Sequence, residues 1–221
     1  YFATLSNVFT KTIIKHKRWT TSNPCSFIES RSEGEGRKRM LSLEEKERLL
    51  THLKDSSKDN ELLADLYLTI RMALRTGARK EEVWSLKRHQ INWQESTITF
   101  DETKNDLERT VSIPPEIMEL LTKRPARIDT QMIFPSKKNP QKGFDFRRPF
   151  ELVLKETGIE DFTWHSFRHT SASYYAMAGT PVKTMMEIFG WKTENMAHRY
   201  THLFAEHKCE WMETMGDKFG V

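Results

Sequence analysis

The spacing of apolar residues divides the chain into helical, strand-like and again helical stretches, separated by polar breaks. Leu5, Val8, Phe9 and Ile13 share one face of a helix over about residues 2–19. Residues 20–40 are rich in Ser, Gly, Arg and Glu and contain Asn23-Pro24, a linker composition. Periodicity resumes at Ser42-Leu-Glu-Glu45, a capping-box pattern ahead of Leu49 and Leu50. It predicts a helix at about 43–54. Leu62, Leu66 and Ile70 repeat every four residues and predict a second at about 61–76, stopped by Gly77. The middle then changes character. Ser96-Thr-Ile-Thr-Phe100 and Arg109-Thr-Val-Ser-Ile113 are short β-branched runs around a polar turn, which predicts a β-hairpin. Pro114-Pro115 ends the second strand and opens a helix to about 123, and Met132-Ile-Phe134 reads as a third short strand. The last third is helical: Phe144–Thr157 up to Gly158, His165–Met177 up to Gly179, a helix opened by Pro181 and stopped near Gly190, one carrying Tyr200, and one within 203–216. The expected fold class is mainly α with a small antiparallel β-sheet (α+β).

Composition narrows this picture. The chain has 221 residues, 37% hydrophobic and 30% charged, enough for one substantial domain with its own core plus an arm. No apolar run approaches the roughly 20 residues of a membrane helix, and no signal-peptide pattern opens the chain. It begins at Tyr1, inside an amphipathic helix, so a fragment of a longer protein is expected. Cys25 and Cys209 lack metal-like spacing and suit a reduced, cytoplasmic setting. Residues 1–40 hold eight Lys/Arg against three Glu, a net +5; with the whole chain at +4, the remainder carries −1. A basic arm on a near-neutral domain suits a polyanion such as DNA, although a solvated tail has the same charge.

Four stretches carry candidate chemistry. In Thr163-Trp-His165-Ser-Phe-Arg168-His169-Thr170 the three basic residues fall at i, i+3 and i+4, one helix face. That face suits a phosphate, since Arg presents a planar fork of donors. It equally suits a solvated helix, and the His pair has zinc spacing, but Ser166 stands where the zinc-protease pattern needs Glu. In Arg75-Thr-Gly-Ala-Arg79-Lys-Glu-Glu82, Gly77 allows a sharp turn that puts Arg79 at a helix start, with Glu82 one turn on to hold it. Lys104 sits in the hairpin turn; a lysine can donate a proton, whereas most turn lysines are merely solvated. Finally, Gly190-Trp191-Lys-Thr193 precedes Ala197-His-Arg199-Tyr200. A phenol beside cationic groups can attack phosphorus and form a covalent phosphodiester, though an isolated Tyr is usually packing.

The order Arg79, Lys104, His165-x-x-Arg168, Trp191, Tyr200 resembles the signature of the tyrosine site-specific recombinases of the phage integrase family. The flanking text agrees: Thr76-Gly-Ala-Arg79-x-x-Glu82 and His165-Ser-Phe-Arg168-His169-Thr170-x-Ala172-Ser173 look like its two arginine boxes, and Phe189-Gly-Trp-Lys-Thr193 like its Leu-Gly-His-Lys-Thr segment. Most phage-type members have His where Trp191 stands; an indole keeps a donor but cannot shuttle a proton. The resemblance spans about residues 38–205 and implies the tyrosine-recombinase catalytic-domain fold over 37–221. Residues 1–36 would then be the last helix of a truncated core-binding domain and a basic linker. It further implies that Tyr200 attacks a DNA phosphate, giving a 3′-phosphotyrosyl bond and a 5′-hydroxyl. Arg79 and Arg168 would neutralise the non-bridging oxygens, His165 would assist the attacking phenol or donate to the phosphate, Lys104 would protonate the leaving oxygen, and Trp191 would bond the phosphate and order the Tyr200 segment. Glu82 and His169 would orient Arg79 and Arg168, and Lys38, Arg39 and Lys80 would contact DNA. No metal or cofactor is required, and the partners would be double-stranded DNA and three further protomers, with the 203–221 tail docking on a neighbour or packing on its own domain. The setting would be cytoplasmic, bacterial or phage-encoded. A type IB topoisomerase-like enzyme and a non-catalytic DNA-binding relative are the alternatives.

Overall fold

The structure is a computed structural model that describes residues 2–28, 39–102, 107–125 and 127–200. The chain divides into two compact units, Tyr1–Arg37 and Lys38–Val221. In the first, α1 (Phe2–Asn7) continues into a wider π-helical segment, Val8–Lys17, which ends at Arg18 in the left-handed conformation (φ 54°). The described start of the expected linker, residues 20–28, is folded here. Asn23 donates to the Ser6 carbonyl, the Ser6 hydroxyl and the Thr10 hydroxyl, and its own oxygen caps the 3₁₀ turn Pro24–Phe27 by accepting from the Cys25 N–H.

The second unit is helical around a small sheet. Its elements are α2 (Leu43–Ser56), α3 (Glu61–Thr76), α4 (Lys80–Trp84), β1 (Ile91–Asn92), β2 (Thr97–Phe100), β3 (Arg109–Ser112), α5 (Pro115–Thr122), α6 (Arg147–Glu156), α7 (Trp164–Met177), α8 (Val182–Phe189) and α9 (Asn195–His198). The capping box forms as read: the Ser42 hydroxyl accepts from the Glu45 N–H, and the Glu45 carboxylate from the Ser42 N–H. α3 packs against α2 and α7, burying Leu66, Ile70, Met72 and Ala73 completely. Trp84, Phe146, Phe150, Trp164 and Phe167 continue that core through edge-to-face contacts at 4.9–5.6 Å. The hairpin forms with Ile98 opposite Val111 and Phe100 opposite Arg109.

Three expectations change. The third strand is Ile91–Asn92, antiparallel to β2, and not 132–134. Met132 only bridges Lys87, and Pro135, without an N–H, follows Phe134 where a ladder would have to continue. α6 begins at Arg147 because the Asp145 carboxylate accepts from the Arg147 N–H and caps it. Tyr200 lies in a turn just past the four-residue α9. The helix expected within 203–216 lies outside the described residues.

Candidate functional site

The site begins at the end of α3. Gly77 closes that helix at φ 61°, and a Cβ there would lie 2.1 Å from the Phe189 ring. Only glycine satisfies both the angle and the space. Its carbonyl is thereby turned to accept a 2.9 Å bond from Arg168, which also donates at 2.8 Å to the Phe189 carbonyl at the end of α8. The Arg168 guanidinium lies over the Phe189 and Trp191 rings and is 5% exposed. So Arg168 is aimed by backbone carbonyls of two helix ends. His169, expected to orient it, does something else.

Arg79 heads α4, half-buried. The Glu82 carboxylate accepts from its backbone N–H at 2.6 Å, but the Glu82 side chain pairs with Arg109, through two 2.9 Å bonds. Arg109 was not among the expected residues. It had a signal: on β3 it shares the inward face with Val111 and Ile113, and a charge at such a position needs a buried partner. Its Nε–H also donates to the Ile188 carbonyl, tying β3 to α8. Burial pushes the Glu82 carboxyl up, but Arg109 and the Arg79 N–H outweigh it and hold it below its ordinary value. Burial lowers the Arg79 and Arg168 pKa values, and mutual repulsion with Arg109 adds to it. The guanidiniums remain charged, so three cations share one small region.

The remaining groups converge on the same place. Trp191 stacks on Phe189 (centroids 4.7 Å apart) and Tyr200 stacks on Trp191 (5.7 Å, planes 5° apart). Tyr200 is 8% exposed; burial raises its phenol pKa, partly offset by Arg168 and Arg199. Its hydroxyl lies 2.7 Å from Nδ1 of His169. His165, more exposed, meets the His169 ring edge-on at 4.9 Å, and burial, Arg168 and Arg79 lower its pKa. Lys104 and Lys38 lie outside the described residues. The described residues on either side of the Lys104 segment are fastened beside Trp191: Leu107 N–H donates to the Gly190 carbonyl, and Glu102 pairs with Lys192. Lys80 pairs with Glu81 and lies over the Trp84 ring. Arg39 forms a fork with Glu45 at the start of α2, which makes it a clamp on that helix. A cleft of about 760 Å³, lined by Arg79, Lys80, Trp84, Arg147 and His165 among others, opens from the site.

The phage integrase family matches residues 39–207, which include Arg79, Lys104, His165, Arg168, Trp191 and Tyr200. The chain belongs to that family. The integrase of Haemophilus phage HP1 is 31% identical over 194 residues, 86% of this chain and 51% of that protein. The integrase of Salmonella phage P22 is 27% identical over 176 residues, 73% and 45% of the two. The chain thus spans about half the length of the curated relatives it matches. Among solved structures, the catalytic domain of bacteriophage HP1 integrase superposes with a TM-score of 0.59 at 29% identity, covering 80% of this chain and 93% of that one. The Tn1549 transposon integrase, solved in complex with transposon right end DNA, superposes at 0.72 with 18% identity, over 96% and 78% of the chains, and so shares the fold. Among the described residues, no helix is long and apolar enough to cross a membrane.

Proposed function

We propose that this integrase-family chain is the catalytic portion of a site-specific DNA recombinase that integrates or excises a mobile element through a covalent tyrosyl–DNA link. The observation that carries the reading is the stacking of Tyr200 on Trp191, the ring that the Arg168 guanidinium overlies, with Arg79 near enough to repel Arg168. Tyr200 Oη attacks the scissile phosphorus while the 5′ oxygen leaves. The guanidiniums of Arg79 and Arg168 take up the charge that builds on the non-bridging oxygens, an electrostatic role that works best in a dry, pre-arranged site. Arg168 is suited to it because its fork is fixed before any DNA arrives. His165, at the more exposed edge, donates to the phosphate. Trp191 holds the phenol ring by stacking and presents its indole N–H to the phosphate. Lys104 protonates the leaving oxygen; the residues flanking its segment, Leu107 and Glu102, bond Gly190 and Lys192. The phosphotyrosyl bond conserves the energy of the cut strand, so rejoining needs no further input.

The cleft beside Arg79, with Lys80 and Arg147 on its wall, suits a DNA backbone, as does the basic segment that includes Lys38. Exchange between two duplexes needs paired cuts on both, which four protomers supply. The test is a covalent-adduct assay with the full-length protein on duplexes tiled from DNA flanking its gene. An SDS-stable protein–DNA species that disappears in Tyr200→Phe supports the reading. Tight binding without an adduct, even on nicked duplexes that trap cleavage, overturns it in favour of a non-catalytic DNA-binding protein. Relaxation of a supercoiled plasmid without joining of two duplexes would mark a topoisomerase.

A further inference from the structure

We propose that His169 is a catalytic residue, the group that takes the proton from Tyr200 as the phenol attacks and returns it when the strand is rejoined. The inference rests on the recombinase reading above and goes beyond it by assigning the proton to a residue outside the signature positions. His165, the histidine of the His-x-x-Arg pair, is the one the resemblance places beside the phenol. In the structure the contact belongs to His169: Nδ1 and Oη are 2.7 Å apart, a hydrogen bond to the reacting atom itself. The contact is built from both sides. Tyr200 is held by its stack on Trp191, which in turn stacks on Phe189. His169 is fixed on α7 one residue after Arg168, whose side chain is bound to two backbone carbonyls. The neighbouring Thr170 is buried and pinned, its hydroxyl donating to Ser166 and accepting from the Leu41 N–H.

The direction of the bond follows from the surroundings. The charged groups facing His169 among the described residues are His165 and Arg168 on α7 and Arg199 beside Tyr200; burial, then His165, Arg199 and Arg168, hold the His169 imidazolium down at about 4. The ring is therefore neutral at pH 7. The phenol, its pKa raised by burial, keeps its proton, and in the Nε2–H tautomer of the ring Nδ1 accepts the hydrogen bond from it. A buried phenol cannot ionise to water easily, so an adjacent neutral imidazole is what attack requires. When a phosphate enters, its negative charge counters the fields of Arg168 and Arg199 and raises the basicity of His169 where the proton must go.

The step balances as follows. The Tyr200 oxygen forms the O–P bond and its proton moves to His169 Nδ1. The bond from phosphorus to the 5′ oxygen breaks with its electron pair on oxygen, which takes a proton from the Lys104 ammonium. Rejoining runs the same steps backwards, with the His169 imidazolium protonating the departing phenolate.

The test compares wild type, Tyr200→Phe and His169→Asn in the full-length protein, in single-turnover adduct formation on nicked duplexes tiled from the DNA flanking the gene, between pH 5.5 and 9.5. Asn offers an oxygen near the Nδ1 position, so it preserves the hydrogen bond but cannot accept the proton. His169→Asn should bind DNA as wild type does and form adduct about 10²–10⁴-fold more slowly at pH 7. Its remaining rate should climb about tenfold per pH unit as the phenol ionises unaided. Replacing Tyr200 by a fluorinated tyrosine of lower phenol pKa should restore much of the loss in His169→Asn and little in wild type. An adduct rate in His169→Asn within threefold of wild type overturns the proposal. So does a loss that neither pH nor the fluorinated phenol relieves, which would mark a structural role. Absence of adduct from wild type itself, with DNA bound, overturns the recombinase reading and this inference together.

Discussion

Two glutamates in this chain do the same thing in two different places. Glu45 and Glu82 each sit at the third position of a helix, accept a bond from the backbone N–H of the residue that caps it, and fork with an arginine. At the edge of α2 the Arg39 and Glu45 side chains are 28% and 20% exposed. Under the site, Arg109 and Glu82 are 2% and 8% exposed. Identical chemistry thus carries different obligations. Water can replace the first arginine if it is lost. Nothing replaces the second, because its partner would remain as a bare charge in the interior. The buried pair also lies beneath the two guanidiniums expected to meet DNA: Glu82 holds the Arg79 backbone, and Arg109 anchors β3 to the end of α8 that receives Arg168. The site's cations are therefore aimed by buried groups behind them.

The largest expected effect tests the buried fork. Glu82→Ala should cost about 3–5 kcal/mol in urea unfolding, because it leaves Arg109 buried and unpaired. Glu82→Ala combined with Arg109→Met should recover much of that stability, while adduct formation stays low because the Arg79 turn has lost its cap. A double variant as unstable as the single one would break the comparison. An intermediate effect is expected at Gly77, which aims Arg168 without any charge. Gly77→Ala should cost about 1–3 kcal/mol from the positive φ alone, more if Phe189 cannot move aside, and adduct formation should fall further than DNA binding. The smallest effect lies at the surface. Arg39 holds the Glu45 carboxyl down to about 2, and the Ser42 N–H contributes. A depressed carboxylate stabilises the fold fully above its ordinary value of 4.5, and that contribution fades as pH falls through 4.5 towards 2. Glu45→Gln should therefore lower stability at pH 7 by about 1 kcal/mol or less. The difference from wild type should vanish near pH 2, as followed by thermal unfolding across that range.

The elements were legible where a residue's role is local. Ser42 and Glu45 announce α2, Leu62, Leu66 and Ile70 give α3, and the β-branched runs give the hairpin, because capping and periodicity act over four or five neighbours. The misplaced third strand shows the limit. Met132-Ile-Phe134 has strand composition, and Ile133 donates to the Leu86 carbonyl, yet the ladder goes to Ile91–Asn92, two residues whose pairing depends on the position of β2. Tyr200, Arg79, Arg168, His165 and Trp191 were legible through the spacing of a family signature. Their supports were read less well. Glu82 was expected to hold Arg79 and does so through its backbone N–H, but its fork with Arg109 was not foreseen; His169 was expected to orient Arg168 and meets Tyr200.

The sequence by itself determined most of the described helices, the hairpin, the basic bias of the first forty residues, and the order of the reactive types along the chain. Each of these follows from interactions between near neighbours or from counting charge. The tertiary structure alone decided which side chains serve which. Gly77 meets Phe189 across more than a hundred residues, Arg109 meets Glu82 across 27, and His169 meets Tyr200 across 31. Such pairings are set by how α3, α7, α8 and β3 pack, and burial then fixes their protonation. No period or motif encodes that, because the energy of a buried charge or phenol depends on everything within a few ångströms of it, whatever its distance along the chain.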